Sequence, residues 1–305
     1  MTFLNFLISG ISLGSIYAII ALGYTMVYGI AKMLNFAHGD VIMVGAYICF
    51  FAVSRFELPP LAGIVLAMLV CTVLGIVIER LAYKPLRQAP SLAVLITAIG
   101  VSYFLQNAAL LLWSSNPKVF PNAFVIKATD GQGLEVTKTG VQLFDGRLNI
   151  SFVTMVTIAA CIVIMLALTW FTGRTKMGKA MRACSEDKGA AQLMGINVNA
   201  TISMTFAIGS GLAAIAGVLL CSAYPNLVPT TGSMPGIKAF TAAVFGGIGS
   251  IPGAFLGGLL LGVIQIFTQA YIGTQLADAV VFAVLIVVLL VKPAGLLGRQ
   301  VREKV

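Results

Sequence analysis

Long apolar runs separated by short polar segments dominate the chain. A helix rises about 1.5 Å per residue, so roughly 20 apolar residues cross the hydrocarbon core of a bilayer. Two apolar segments, 41–53 and 237–247, are short on this measure. The pattern predicts an all-α integral membrane protein, a bundle of about eight or nine transmembrane helices with two short or broken segments. The predicted full spans are approximately residues 6–30, 61–79, 92–113, 151–171, 201–223, 252–271 and 278–292.

Both short segments border an interrupted stretch of glycines and hydrogen-bonding side chains. Irregular backbone at membrane depth is tolerated only where it is buried in protein or lines a water-filled cavity. A pair of broken hydrophobic segments in the two halves of a chain indicates a transport pathway built on an internal repeat. The predicted pathway residues are Asn35, His38, Gly39, Asp40, Gly246, Gly247, Gly249, Ser250, Pro252 and Gly253.

Composition supports the membrane assignment and excludes a soluble protein. Mean hydropathy is +1.01, 59% of the 305 residues are hydrophobic and only 10% are charged. A water-soluble protein of this size could not bury so much apolar surface, so the solvent must be lipid. We expect residues 1–305 to form a single transmembrane domain.

Three basic clusters supply most of the positive charge behind the net charge of +9. Short loops rich in Lys and Arg remain cytoplasmic, so the clusters mark the inner side. Residues 114–150 are then an extracytoplasmic loop, which either meets a partner or is simply solvated, and the N-terminus lies outside if both short segments cross. No nucleic acid is expected, because no basic patch alternates with exposed aromatic residues. The clusters are Arg80, Lys84 and Arg87; Arg174, Lys176, Lys179, Arg182 and Lys188; and Lys292, Arg299, Arg302 and Lys304.

His38 is the single histidine, and Asp40 follows two residues later. Such a pair suits a proton relay or part of a metal site, but no second His and no nearby Cys supplies further ligands. We therefore expect no metal and predict a helix start, where Asn35 or Asp40 caps free backbone N–H groups. Lys238 is expected to extend towards the membrane interface; attraction of an anionic carboxylate is the alternative.

Residues 174–198 form a charged island between two predicted spans. Its first part nearly matches a phosphate-binding loop, but Ala180 stands where the motif needs a Ser or Thr hydroxyl for magnesium. We therefore expect this chain to bind no cofactor and to hydrolyse no ATP, and no Ser–His–Asp or Cys–His pair indicates an enzyme. From Lys179 to Met194 the segment is compatible with a short amphipathic helix ended by Gly195, which favours a partner's groove over a lipid surface.

Four ordered stretches resemble the permease subunits of bacterial ATP-binding-cassette importers for branched-chain amino acids, and most of all the smaller of the two permeases. They are GYTMVYG at 23–29, NFAHG at 35–39, MGKAMRACSED at 177–187 and the segment from KAFTAAV at 238–244 to Gly253. Asp40 stands where relatives often carry Glu, which preserves the charge. Related permeases for urea and short amides share much of this pattern and remain an alternative.

The resemblance implies a bacterial inner-membrane complex with a second permease subunit, two cytoplasmic ATPase subunits and a periplasmic amino-acid-binding protein. ATP and magnesium would bind to the ATPase subunits. Residues 174–198 would be the cytoplasmic coupling loop on which an ATPase docks, with Lys179, Arg182, Glu186, Asp187 and Gly195 as its coupling residues.

A secondary transporter driven by an ion gradient is the alternative from a different class. It requires a buried acid or an ion site within the spans. The polar side chains within the predicted spans are instead expected to join helices. These are Gln106, Asn107, Gln265 and Gln269.

Overall fold

The computed structural model describes residues 2–121, 126–129, 135–138, 140–143 and 148–298. The helices are α1 (Thr2–Ala31), α2 (His38–Ser54), α3 (Pro60–Ile78), α4 (Ser91–Trp113), α5 (Phe152–Arg174), α6 (Lys176–Glu186), α7 (Lys188–Leu193), α8 (Val198–Ala223), α9 (Ser233–Gly246), α10 (Ile251–Tyr271) and α11 (Ala277–Val291). A π-helical turn (Glu79–Tyr83) follows α3. The strands are β1 (Lys118–Val119), β2 (Ile126–Thr129), β3 (Glu135–Lys138), β4 (Gly140–Leu143), β5 (Leu148–Ser151) and β6 (Asn226–Leu227).

Among the described residues, seven helices are long and apolar enough to cross a membrane, and each coincides with a predicted full span. The two short segments form α2 and α9, with 17 and 14 residues. The prediction of an all-α membrane bundle is therefore confirmed. The short strands were not predicted: β2 pairs with β3 and β4 with β5 in antiparallel hairpins, and β1 pairs with β6.

The bundle has two ends, which we name the strand end and the basic end. At 23 residues, α5 is about 34 Å long and separates the strands from α6 and α7. Lys188 and Ala31 are hydrogen-bonded at the basic end, and Arg87 contacts Asn199 there. Ser12, near the start of α1, instead contacts the strand end of α5. Placing the basic end in the cytoplasm remains a prediction from charge.

The arrangement of helices α1 to α4 is repeated by α8 to α11 with each helix running in the opposite direction. Helices α1 to α4 run in turn to the basic end, the strand end, the basic end and the strand end, and α8 to α11 run the other way. Packing follows the same relation, because α1 lies along α10 and α3 lies along α8. The two halves thus form the inverted repeat that the pair of broken segments implies.

Glycines bring α1 and α10 into backbone contact. A Cβ atom added to Gly262 would lie 2.1 Å from the Cα atom of Gly14, and one added to Gly14 would lie 2.8 Å from the Cα atom of Leu259. Apolar side chains gain little by leaving lipid for one another, so close backbone approach is a principal means of packing membrane helices.

Helices α2 and α9 both begin inside the bundle. The ring of His38 lies against Gly23, which is eight residues before the end of α1 and therefore about 12 Å from that end along the axis. The start of α9 meets the start of α2 at the same depth, because Gly232 and Gly236 contact Gly39. Residues 32–37 therefore fold back into the bundle from the basic end, and residues 228–232 do so from the strand end.

Candidate functional site

The central feature is the meeting of the two half-helices, which we name the half-helix junction (residues 38–40 and 232–236). A Cβ atom added to Gly232 would lie 1.8 Å from the carbonyl oxygen of Gly39, and one added to Gly236 would lie 2.8 Å from its Cα atom. Only glycine permits this approach. The junction places two helix N-termini, with their free N–H groups and positive dipole ends, face to face in the interior.

Asp40 supplies a buried carboxylate at the junction and is 1% exposed. The side-chain Nε2 of Gln106 donates to Asp40 Oδ1 over 2.9 Å and lies 3.2 Å from Ser233 Oγ. Gln106 therefore links α4 to the starts of both half-helices, as expected of a polar group that joins helices. A carboxylate at membrane depth requires such a partner, and its place in the first turn of α2 suits the helix dipole.

His38 packs as a buried ring. It is 1% exposed, and its ring centroid lies 4.5 Å from that of Tyr24. Within the described part of the chain, Nε2 has no hydrogen-bond partner and His38 belongs to no cluster of three or more potential metal ligands. A packing role at the broken helix is what this environment supports.

Asn35, one of the two residues expected to cap α2, does not do so. The residue at the N-cap of α2 is Ala37, with no side-chain hydrogen bond to the helix start. The side-chain oxygen of Asn35 accepts a hydrogen bond of 2.9 Å from the hydroxyl of Tyr83 in the π-helical turn. This long-range partner outcompetes local capping and ties residues 32–37 to the end of α3. Such π-helical turns frequently occur at functional sites.

The second predicted set, Gly246 to Gly253, lies at the basic end. Gly247 and Gly249 adopt φ angles of +107° and +94°, which favour glycine. Ser250 accepts a hydrogen bond of 3.2 Å from the backbone N–H of Gly253 and so caps α10. Because 13 residues of α9 separate Ser233 from Gly246, this set lies about 20 Å from the half-helix junction. Pro252 occupies the first turn of α10, where proline is tolerated.

The C-terminal segment closes this turn. The backbone N–H groups of Leu296 and Leu297 donate to the carbonyl oxygens of Phe245 and Gly246, each over 2.9 Å. They satisfy two carbonyl groups that the end of α9 leaves free. The structure thus separates the predicted pathway residues into a junction group and a basic-end group, and the pathway role of each residue stays a prediction.

Residues 174–198 form two helices rather than the single expected one. Asp187 is extended, with φ −150° and ψ 116°, and its carboxylate accepts hydrogen bonds from the backbone N–H groups of Gly189 and Ala190. It therefore ends α6 and caps α7. Gly195, at φ +80°, stops α7 as predicted, since the N–H of Ile196 reaches back to the carbonyl of Ala191 in a Schellman arrangement.

Helices α6 and α7, which we name the docking helices after the docking predicted for residues 174–198, expose both charged and apolar groups. Lys179, Arg182 and Glu186 are exposed. Leu193 and Met194 are 90% and 83% exposed, which is unusual for large apolar side chains. Leu193 was not among the predicted coupling residues. The signal that could have revealed it is an apolar pair directly before a helix-ending glycine in an otherwise polar loop.

Lys238 has a partner that was not predicted. Its ammonium lies 2.6 Å from the carboxylate of Asp278 at the start of α11, and Lys238 is only 7% exposed. The carboxylate that it attracts therefore belongs to this chain. The ion pair joins α9 to α11, which corresponds in the inverted repeat to the link that Gln106 makes between α4 and α2.

Comparisons with known proteins agree over nearly the full chain. Residues 6–289 match the family described as branched-chain amino acid transport system / permease component. The chain is 46% identical to the high-affinity branched-chain amino acid transport system permease protein BraD of Pseudomonas aeruginosa, over 99% of this chain and 98% of that protein. It is 44% identical to the permease protein LivH of Escherichia coli, a protein of the same description, over the same shares of the two proteins. Among solved structures it is similar to PsaBC from Streptococcus pneumoniae in complex with Fab, with a TM-score of 0.46 and 15% identity over 93% of this chain and 88% of that chain.

Proposed function

The chain belongs to the family of branched-chain amino acid transport permeases, and we propose that it carries leucine, isoleucine and valine inward along a route through the half-helix junction. It is a multi-pass inner-membrane permease subunit of an ATP-binding-cassette importer for branched-chain amino acids. Its own contribution is the membrane pathway.

ATP binding and hydrolysis belong, in this proposal, to two cytoplasmic ATPase subunits that also hold the magnesium. This chain binds no cofactor. The start of α6 supports this assignment, because Gly178 is packed against Thr172 and its N–H donates a hydrogen bond to Thr175. A second permease subunit completes the membrane part, and a periplasmic amino-acid-binding protein delivers the substrate to the strand end.

The observation that carries the docking proposal is the outward face of α6 and α7. Two capped helices at the basic end expose Arg182 and Glu186 on α6 and Leu193 and Met194 at the end of α7. Exposed large apolar groups surrounded by charge are typical of a surface that a partner covers. The segment is too short and too mixed in charge to lie stably on lipid.

The half-helix junction is the proposed route. In transporters, half-helix N-termini near the membrane midplane attract anionic substrate groups, and an amino acid carries a carboxylate. In the described structure the route is closed by contact of Gly39 with Gly232 and by the links that Gln106 makes. Transport therefore requires α2 and α9 to move apart.

A docking experiment tests the ATPase interface. We expect Leu193→Asp combined with Arg182→Ala to abolish co-purification of the ATPase subunits and ATP-driven leucine uptake, because the substitutions place a charge in the apolar contact and remove a second contact. Gly100→Ala in α4, where nothing lies within 4 Å of an added Cβ atom, is the control and should leave both unchanged. Normal co-purification and uptake by the double variant would refute docking at α6 and α7.

Substrate competition tests the cargo in the same preparation. Excess isoleucine or valine should displace labelled leucine, whereas urea and short amides should not. If urea inhibits leucine uptake as strongly as valine does, the chain is instead a permease for urea and short amides.

A further inference from the structure

The connection between the docking helices and the half-helix junction passes through one short segment, residues 32–37. It leaves the end of α1 at Ala31 and leads directly to His38. Its first residue, Lys32, has φ +57°, a conformation that residues other than glycine seldom adopt. Six residues span at most about 20 Å, so the segment keeps the end of α1 and the start of α2 close together.

Lys188 joins the docking helices to this segment. Its ammonium donates to the carbonyl oxygen of Ala31 over 2.7 Å, across 157 residues of sequence. The bond falls on the C-terminal end of α1, where the helix dipole favours a cation. Of the described basic residues in α6 and α7, Lys188 is the one whose side chain is hydrogen-bonded outside residues 173–198.

Lys188 is partly buried and lies near two other basic residues. Burial, followed by the nearby charge of Arg87, lowers the pKa of Lys188 below its usual range. Lys32 adds a smaller effect of the same sign. A lysine on a solvated helix face would turn away from two cations, whereas this one is directed at a helix-terminal carbonyl.

The docking helices are attached firmly enough to move as a unit. Met181 and Cys184, on the inner face of α6, are 0% and 1% exposed, and α6 packs on α1, α5 and α8. Lys188 is the first residue of α7, immediately after the extended Asp187 that separates the two helices. A partner pressing on α7 therefore acts on Lys188 before it acts on the bundle.

Asn35, towards the other end of residues 32–37, is also fixed by a hydrogen bond. Asn35 accepts the hydrogen bond from Tyr83, whose ring packs on Phe206 of α8 with centroids 5.2 Å apart. Residues 32–37 are thus fixed at Ala31 by the docking helices and at Asn35 by the π-helical turn. Either attachment can shift the segment relative to the other.

We propose that Lys188 is a positioning residue that transmits movement of the docked ATPase to the half-helix junction, through its hydrogen bond to Ala31 and through residues 32–37. The inference rests on the proposed ATPase docking. It assigns to Lys188 a role in coupling rather than in binding of the ATPase or of the substrate.

The test measures coupling, because a merely structural role would not change it. The full complex is reconstituted in liposomes, and leucine uptake and ATP hydrolysis are measured together. For Lys188→Met we expect the leucine transported per ATP hydrolysed to fall about tenfold, within the range known for residues on coupling routes. Lys188→Arg keeps a cationic donor and should recover the ratio to within about twofold of the original.

Two further variants keep the test decisive. Lys84→Met makes the same charge change at an exposed position of the basic end and should leave the ratio unchanged. Tyr83→Phe retains the ring packing and removes the bond to Asn35, so it should also lower the ratio. If Lys188→Met does not fold, the leucine transported per ATP hydrolysed by the Tyr83→Phe variant tests the proposal.

The outcomes separate this inference from the proposed function. An original ratio in Lys188→Met, or an equal loss in Lys84→Met, overturns the role of Lys188 while leaving the importer intact. A complex of the unchanged chain that neither binds the ATPase nor transports leucine overturns the proposed function itself.

Discussion

At the scale of single residues, the Asp40 carboxylate is the most demanding group in the structure. It is buried in the interior, and Gln106 Nε2 is 2.9 Å from it. Truncating one member of a buried pair leaves the other without its partner, which costs about 1–3 kcal/mol, and more when that group is charged. Replacing one member of the pair should therefore lower the free energy of unfolding, and a matching replacement of the other should recover part of it.

We predict that Gln106→Leu lowers the free energy of unfolding by about 1–3 kcal/mol, because it leaves the carboxylate of Asp40 with one donor fewer. Adding Asp40→Asn should recover part of the loss, since a neutral amide is less costly to bury. Thermal unfolding of the purified single and double variants in detergent measures both. An unfolding temperature for Gln106→Leu equal to that of the original chain would contradict the role given to this pair.

Residue-scale predictions succeeded where the cause is local. Gly195 ends its helix as the sequence indicated, because a glycine after a polar helix is itself the stop signal. Asn35 was misjudged as a cap because its partner Tyr83 is 48 residues away. The partner of Asp40 was out of reach for the same reason, although Gln106 was correctly expected to join helices.

At the scale of elements, the half-helices were recognised but their starts were misplaced. The predicted short segment starts at residue 237, where the apolar run begins, whereas α9 begins at Ser233. In the structure Pro235 lies in the first helical turn, where its missing N–H leaves no hydrogen bond unmade. Gly236 is required by the contact with Gly39. Tertiary packing thus decides both positions.

We predict that Gly232→Ala destabilises the junction and reduces leucine uptake, because a Cβ atom there would lie 1.8 Å from the carbonyl oxygen of Gly39. Forced overpacking of this kind costs about 1–3 kcal/mol. Gly100→Ala in α4 is the matched control, since nothing lies within 4 Å of its added Cβ atom. Uptake and thermal stability of the two variants should differ clearly. Equal behaviour would argue that the half-helices do not meet here.

The docking segment shows how one residue divides an element. Helix propensity from Lys179 to Met194 is continuous in sequence, and a single helix was the reasonable expectation. Asp187 interrupts it because its carboxylate satisfies two N–H groups of the following turn more readily in an extended conformation. The division places Lys188 at the start of a separate short helix.

At the scale of the whole molecule, the sequence predicted the seven long apolar helices and the two short segments but not how they pack. Hydrophobic runs in lipid have no preferred neighbour, so their lengths do not reveal that α1 pairs with α10 and α3 with α8. The inverted repeat likewise became visible only through the direction of each helix. Which end faces the cytoplasm remains a prediction from the basic clusters, as does the role of residues 114–150 outside.

The organisation as a whole is that of a subunit. Two half-helices meet at the junction, where we propose the route, one short segment connects the junction to the basic end, and the docking helices present an exposed face there. In this proposal, each part functions only when a docked partner moves the docking helices. We therefore predict that this chain transports no leucine without its partner subunits.

Leucine uptake into liposomes tests this claim most directly. The chain is reconstituted with the second permease and the two ATPase subunits, supplied with the loaded binding protein, and compared with the chain alone. We predict uptake that requires ATP, that disappears when this chain or the ATPases are omitted and that a protonophore does not affect. Uptake by the chain alone, without ATP and abolished by a protonophore, would contradict the account and identify a transporter driven by an ion gradient.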